Sequence, residues 1–251
     1  MRKSLLPKAL LWTCLTAFVF TSCVNDDYLV AAKPTPDQSF TEEFDTVSAA
    51  YNRGWKTKNT SDPTLSLLWQ QGGDVAVPFF PAYSSNTSNV GFIGCSAFVT
   101  PITTIGSLSN WLISPVLTMQ NGDTITFYTR AQLYDDGLVT TGTASGVMTD
   151  YGNRLQVRLN SNNEGTEVGV GAEFGDFTTA LLDINPNYVV YDNTAPDPMA
   201  YPSSWTRFQA IVYGLKKPTS GRFAFHYLIE DGTNNGSGIG IDLVSYKSVK
   251  K

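Results

Sequence analysis

The second half of the chain alternates between apolar and polar positions. Asp123 to Arg130 reads Asp-Thr-Ile-Thr-Phe-Tyr-Thr-Arg, with Ile125 and Phe127 on one face and Thr124, Thr126 and Tyr128 on the other. Arg154 to Leu159 turns Leu155, Val157 and Leu159 inward and Arg154, Gln156 and Arg158 outward. Arg222 to Ile229 places Phe223, Phe225, Tyr227 and Ile229 on one face, and Trp205–Leu215 and Gly238–Tyr246 behave similarly. A period of two in β-branched and aromatic residues marks half-buried strands. Gly/Asn/Asp/Pro clusters at 120–123, 161–165, 217–221 and 231–236 supply the turns between them. No window of helical length carries a 3.6-residue period. Many strands without helices predict an all-β sandwich or jelly roll. Val24 to Gln38 has no period and reads as a tether, leaving one domain over 39–248.

Composition narrows the function classes. The chain is 42% apolar and 16% charged, which suits a folded core and not a disordered polyelectrolyte. A single histidine, His226, excludes any site built on two, and three cysteines cannot make a four-thiolate metal site. A formal charge of −5 argues against nucleic acid as a partner.

Arg2, Lys3 and Lys8 precede an apolar stretch from Ala9 to Phe20 that is too short to span a bilayer. It ends in Phe20-Thr21-Ser22-Cys23, which resembles the lipobox of bacterial lipoproteins, with Phe20 in place of the usual leucine. The resemblance implies a signal peptide over 1–22, lipidation of Cys23 and a membrane anchor without a spanning helix. Asn25-Asp26-Asp27 looks like the surface-export signal of Bacteroidetes lipoproteins, which implies an outer-membrane, cell-surface location. Without the three basic residues of the signal, 14 Lys and Arg face 22 Asp and Glu, a net charge of −8. Cys95 is then the one thiol left in the domain; it lies in an apolar run and reads as inert.

The order of the elements carries a second resemblance. Glu43-Phe44-Asp45 and Gly54-Trp55 come first, and Asn110-Trp111-Leu112-Ile113-Ser114-Pro115 leads into the 121–130 strand. Leu182-Asp183-Ile184-Asn185-Pro186, Tyr201-Pro202-Ser203-Ser204-Trp205-Thr206, Gly221-Arg222-Phe223-Ala224-Phe225 and Ile239-Gly240-Ile241-Asp242 follow. Over about residues 39–247 this resembles the choice-of-anchor J domain, a relative of the cleaved-adhesin domains of gingipains. The resemblance implies a jelly-roll β-sandwich of two antiparallel sheets, with adhesion or glycan and protein binding and no catalytic residues.

Two constellations follow. Jelly-roll relatives often set an acidic residue of the first strand beside an aspartate of the last, which points to structural calcium at Glu43, Asp45 and Asp242, a hard cation drawing oxygen ligands. Aromatics in loop-like stretches, Trp69, Tyr83, Tyr134 and Tyr201, are candidates for stacking on a ligand. Asp135-Asp136 beside Gly137 reads as a solvated turn, and His226 as a structural histidine. The expected function is a non-catalytic, surface-anchored module binding a glycan or a surface protein. A structural spacer and a carbohydrate-active hydrolase are the alternatives; the hydrolase requires two facing carboxylates.

Overall fold

The computed structural model describes residues 35–64, 69–73, 80–84, 90–97 and 106–249. Cys23, the signal over 1–22 and most of the 23–38 tether lie outside the described residues. Thr35–Lys251 forms one compact unit.

The strands are β1 (Phe40–Glu42), β2 (Lys56–Asn59), β3 (Gln70–Gln71), β4 (Ile93–Ser96), β5 (Leu108–Ile113), β6 (Leu117–Met119) and β7 (Thr124–Ala131). They continue with β8 (Tyr134–Asp135), β9 (Met148–Thr149), β10 (Leu155–Asn160), β11 (Thr179–Ile184), β12 (Thr206–Ile211), β13 (Thr219–Ile229) and β14 (Gly238–Lys247). Two short helices, α1 (Val47–Asn52) and α2 (Asp136–Thr140), interrupt them. The first sheet runs β12-β7-β14-β4-β3, with β1 added to β14; the second runs β11-β10-β13-β5-β2, with β6 added to β13. Every pairing in the two sheets is antiparallel.

The alternation places the core. On β7, Ile125, Phe127, Thr129 and Ala131 are buried, while Thr124, Thr126, Tyr128 and Arg130 are half-exposed. Phe127 meets Phe225 of β13 edge to face at 4.8 Å, which joins the two sheets. Trp55 packs against Phe44 and Phe223 in the same core.

The outward faces depart from the simple alternation. Gln156, Arg158 and His226 sit on the outer face of the second sheet yet are buried. Their cover comes from the β10–β11 connection, whose Val168, Phe174 and Phe177 pack against Trp111, Ile113 and Ala224. Arg158 holds it down, with its guanidinium 3.4 Å from the Phe174 ring centre and donating to the Phe177 and Thr178 carbonyls. On the first sheet, Phe80 and Phe92 lie over β14. A Cβ on Gly240 would come within 3.0 Å of both rings, so only glycine lets this cover approach.

The loop assignment fails for two aromatics expected to meet a ligand. Trp69 is 1% exposed, packed edge to face on Tyr227. Tyr201 is fully buried, its hydroxyl hydrogen-bonded with Thr129 Oγ1. Both lie outside the long strands but fold inward, because a large ring contributes about 1.5–3 kcal/mol when it leaves water. The pair Asp135-Asp136 is more ordered than a plain turn. Asp135 caps α2, accepting from Leu138 N–H and from Ser145 and Gly146 N–H.

Candidate functional site

Strand β14 changes neighbour halfway along. Its first half pairs with β4, up to Ile241 opposite Ile93; its second half pairs with β1, from Val244 opposite Glu42. Asp242 stands in the gap, at a register shift against β7, followed by Leu243 with φ 48°. The segment after β1 and the segment before β4 both arrive here. Asp45 Oδ1 lies 3.2 Å from the position a Cβ would take on Gly91. Ser84 Oγ reaches both the Gly91 carbonyl at 3.4 Å and Asp242 Oδ2 at 3.2 Å.

Asp242 is fully buried. Its carboxylate accepts from Tyr83 N–H at 2.8 Å, Ser84 N–H at 3.0 Å and Leu243 N–H at 2.6 Å. Burial pushes its pKa up to about 6 despite these bonds. Among the described residues no Lys or Arg forms an ion pair with it. Asp45 and Glu43 are exposed and share a shallow cleft of about 290 Å³. Among the described residues no three His, Cys, Asp or Glu side chains cluster as a metal site. A cage here would therefore combine Asp45 and Asp242 with backbone carbonyls such as that of Gly91.

Beside this junction the outer face of the first sheet is open. Tyr83 is 39% exposed and stacks on Tyr128 at 3.6 Å between ring centres. Tyr128 lies opposite Arg207 of β12, and Thr126 lies between Gln209 and Ser245. Arg207 and Gln209 are exposed. The strip continues into a groove of about 890 Å³ lined by Ser39, Thr41, Thr124, Ser245, Lys247 and Ser248. From Tyr128 to Thr124 it spans about 13 Å at the usual strand rise. Of the aromatics expected to meet a ligand, only Tyr83 is here. Tyr134 is half-buried on the separate β8–β9 hairpin, and burial raises its pKa. Tyr128 was legible as a large ring on the polar face of an alternating strand.

The single histidine and the cysteine of the domain are both enclosed. Cys95 is fully buried, accepts from Asn110 Nδ2 at 3.1 Å, and burial pushes its thiol pKa up. His226 is fully buried, stacked on Trp111 at 3.7 Å and hydrogen-bonded through Nε2 to Ser109 Oγ. Burial, then Arg158 and Arg154, hold its pKa well below the ordinary value, so it is neutral. The unfolded chain therefore binds a proton below pH 6.5 that the folded chain refuses. Stability falls on acidification through this group by up to about 1.4 kcal/mol per pH unit. His226→Gln should flatten that part of the profile in urea melts between pH 7 and 5; an unaltered profile would contradict the assignment.

No family model and no curated protein matches the sequence. Solved structures do. The K1 cleaved adhesin domain of Lys-gingipain from Porphyromonas gingivalis W83 matches with a TM-score of 0.51 at 18% identity, over 84% of this chain and 98% of that one. The K3 domain of the same protein gives 0.47 at 17% identity, over 85% and 100%. A structure of carbohydrate-binding modules from the β-sandwich superfamily gives 0.42 at 12% identity, over 84% and 62%. The K1 likeness shows a shared fold: an all-β sandwich of two antiparallel sheets.

Proposed function

We propose that the domain is a non-catalytic binding module that takes an extended glycan along the open face of the first sheet. The Tyr83–Tyr128 ring pair beside a groove that mixes Ser and Thr hydroxyls with Phe40, Tyr246 and Val249 carries this reading. A sugar ring stacks its C–H face on an aromatic ring, and its hydroxyls exchange hydrogen bonds with Thr, Ser, Gln and Arg side chains. A hydrolase is disfavoured because, among the described residues, the groove is lined by one carboxylate, Asp37, which is turned to Ser39 N–H and Oγ. A bare spacer has no use for an exposed ring pair next to a groove. Lipidation of Cys23 and a place on the outer membrane, facing outward, complete the reading; the sequence resemblances support them.

The test is a glycan array probed with residues 35–251, followed by calorimetry on any hit. Tyr83→Ala should weaken binding by about tenfold or more, and Gln209→Ala by less. No hit on the array, or a hit that Tyr83→Ala leaves unchanged, would rule out this face as a glycan site.

We also propose that Asp45 and Asp242, with Glu43 nearby, hold a structural calcium ion. The donors are hard oxygens, and Asp242 is a buried carboxylate without a cationic partner among the described residues. A bound cation would neutralise that carboxylate and tie the segment after β1 to the segment before β4.

A further inference from the structure

We infer that the glycan taken by the open face is an acidic one, a uronate whose sugar carboxylate is held by Arg130 with Arg207 close by. The inference rests on the proposed glycan site and names the class of sugar it selects. Arg130 follows Tyr128 on the outer face of β7, two residues on and about 7 Å away at the usual strand rise. It lies at the end of the tyrosine strip away from the groove. Its guanidinium sits over the Phe80 ring, 4.3 Å from the centre. Phe80 in turn stacks on Phe92 at 4.9 Å and meets Trp205 edge to face at 5.3 Å. Trp205 Nε1 donates to the Pro81 carbonyl at 2.8 Å, which fixes this aromatic bed to the edge of the sheet. The guanidinium is thus held in place by rings.

What the bed does not supply is an anion. Arg130 Nε donates one long bond to the Ala131 carbonyl at 3.4 Å, and its two Nη atoms have no hydrogen-bond partner among the described residues. No described carboxylate forms an ion pair with it. Burial lowers its pKa, and no carboxylate raises it back. A half-buried guanidinium in this state fits a planar carboxylate, which accepts two parallel N–H bonds from the fork. Arg207 is exposed, lies directly opposite Tyr128 on β12, and is likewise without an ion pair among the described residues. The ring pair therefore has one guanidinium across from it and another one step along its own strand. The acids nearby are directed elsewhere. Asp242, opposite Tyr128 on β14, accepts from the Tyr83, Ser84 and Leu243 N–H groups. Glu43 and Asp45 lie in the cleft that also holds Arg53. The chain as a whole carries −5, so its attraction for an acidic sugar is local, fading over about 10 Å at 0.1 M salt.

The test uses residues 35–251, which form a compact unit. The probes are polygalacturonate, alginate and hyaluronate, each beside its methyl-esterified form, which keeps the ring and hydroxyls and removes the charge. At least one free acid should bind, and its ester should bind about tenfold or more weakly. Arg130→Gln should lower affinity for the free acid by about tenfold or more and erase most of the difference from the ester. Arg130→Lys, which keeps the charge and loses the fork, should recover only part of it. Arg207→Gln, at an exposed position, should cost about two- to fivefold, and it keeps the test decisive if Arg130→Gln fails to fold. Equal binding of acid and ester, or binding of neutral or sulfated glycans alone, would overturn the inference; if Tyr83→Ala weakens that binding, the glycan face itself stands. An Arg130→Gln protein that folds and binds the free acid like the wild type would overturn it as well. Binding to no glycan at all would overturn both readings.

Discussion

Asn153→Ala is expected to destabilise the domain by about 4 kcal/mol, because it leaves several buried donors without acceptors at once. Asn153 is fully buried where the chain enters β10. Its Oδ1 accepts from Tyr227 hydroxyl at 2.5 Å, Ser237 N–H at 3.1 Å and Gly238 N–H at 3.3 Å. Its Nδ2 donates to the Asp150 carbonyl and carboxylate and to Ser237 Oγ. One amide thus joins the start of β10, the end of β13 and the start of β14. Asp150 extends the arrangement by accepting from Gly152 and Tyr191 N–H. For a domain of this size the loss corresponds to a fall in melting temperature of about 8–16 °C. Calorimetry on the purified variant checks it. Tyr227→Phe, which removes one donor and keeps the ring, should cost about 1 kcal/mol. Equal costs for the two variants would show that the amide does not act as the junction.

The second large effect concerns the proposed calcium ion. With free calcium at about a hundred times its dissociation constant, binding stabilises the folded state by roughly 2.7 kcal/mol. Chelation should then lower the melting temperature by about 5–11 °C. Asp242→Ala should abolish the calcium response. That variant also orphans the Tyr83, Ser84 and Leu243 N–H groups, so a lower melting temperature alone would not establish a metal. Asp45→Asn separates the two effects, since Asp45 is exposed and its replacement strands no buried donor. It should weaken the calcium response with little change in the calcium-free melt. A chelator-insensitive wild type would remove the ion from the account.

The long strands were legible because one face of each must enter a core, and that demand writes a period of two. Ile125 and Phe127 against Thr126 and Tyr128 is the plainest case. The covers over the outer faces were not legible. Phe80, Phe92, Phe174 and Phe177 are spaced irregularly beside prolines or glycines, so no period announces that they fold back onto a sheet. For the same reason Gln156 and Arg158 looked solvent-facing. Trp69 and Tyr201 failed as ligand contacts because a loop-like neighbourhood records backbone irregularity and not the direction of a side chain. Asp242 was identified by its place on the last strand. What the sequence could not show is that β14 changes partners at that residue, where Tyr83 and Ser84 bond to it and Gly91 and Asp45 lie near.

The pairing of β1 with β14 has a mechanical side. β1 runs from the entry end of the sandwich inward, antiparallel to β14. A pull on residue 35 along the long axis is directed down the length of β1. Its hydrogen bonds to Val244–Tyr246 then bear the load side by side, in shear, instead of opening one after another. Phe40 adds to this grip by stacking on Tyr246 at 6.0 Å and meeting Trp55 edge to face at 6.3 Å. A module held at its N-terminal side while its open face grips a ligand would resist extraction through three residues of strand and one half-buried ring packed against the core.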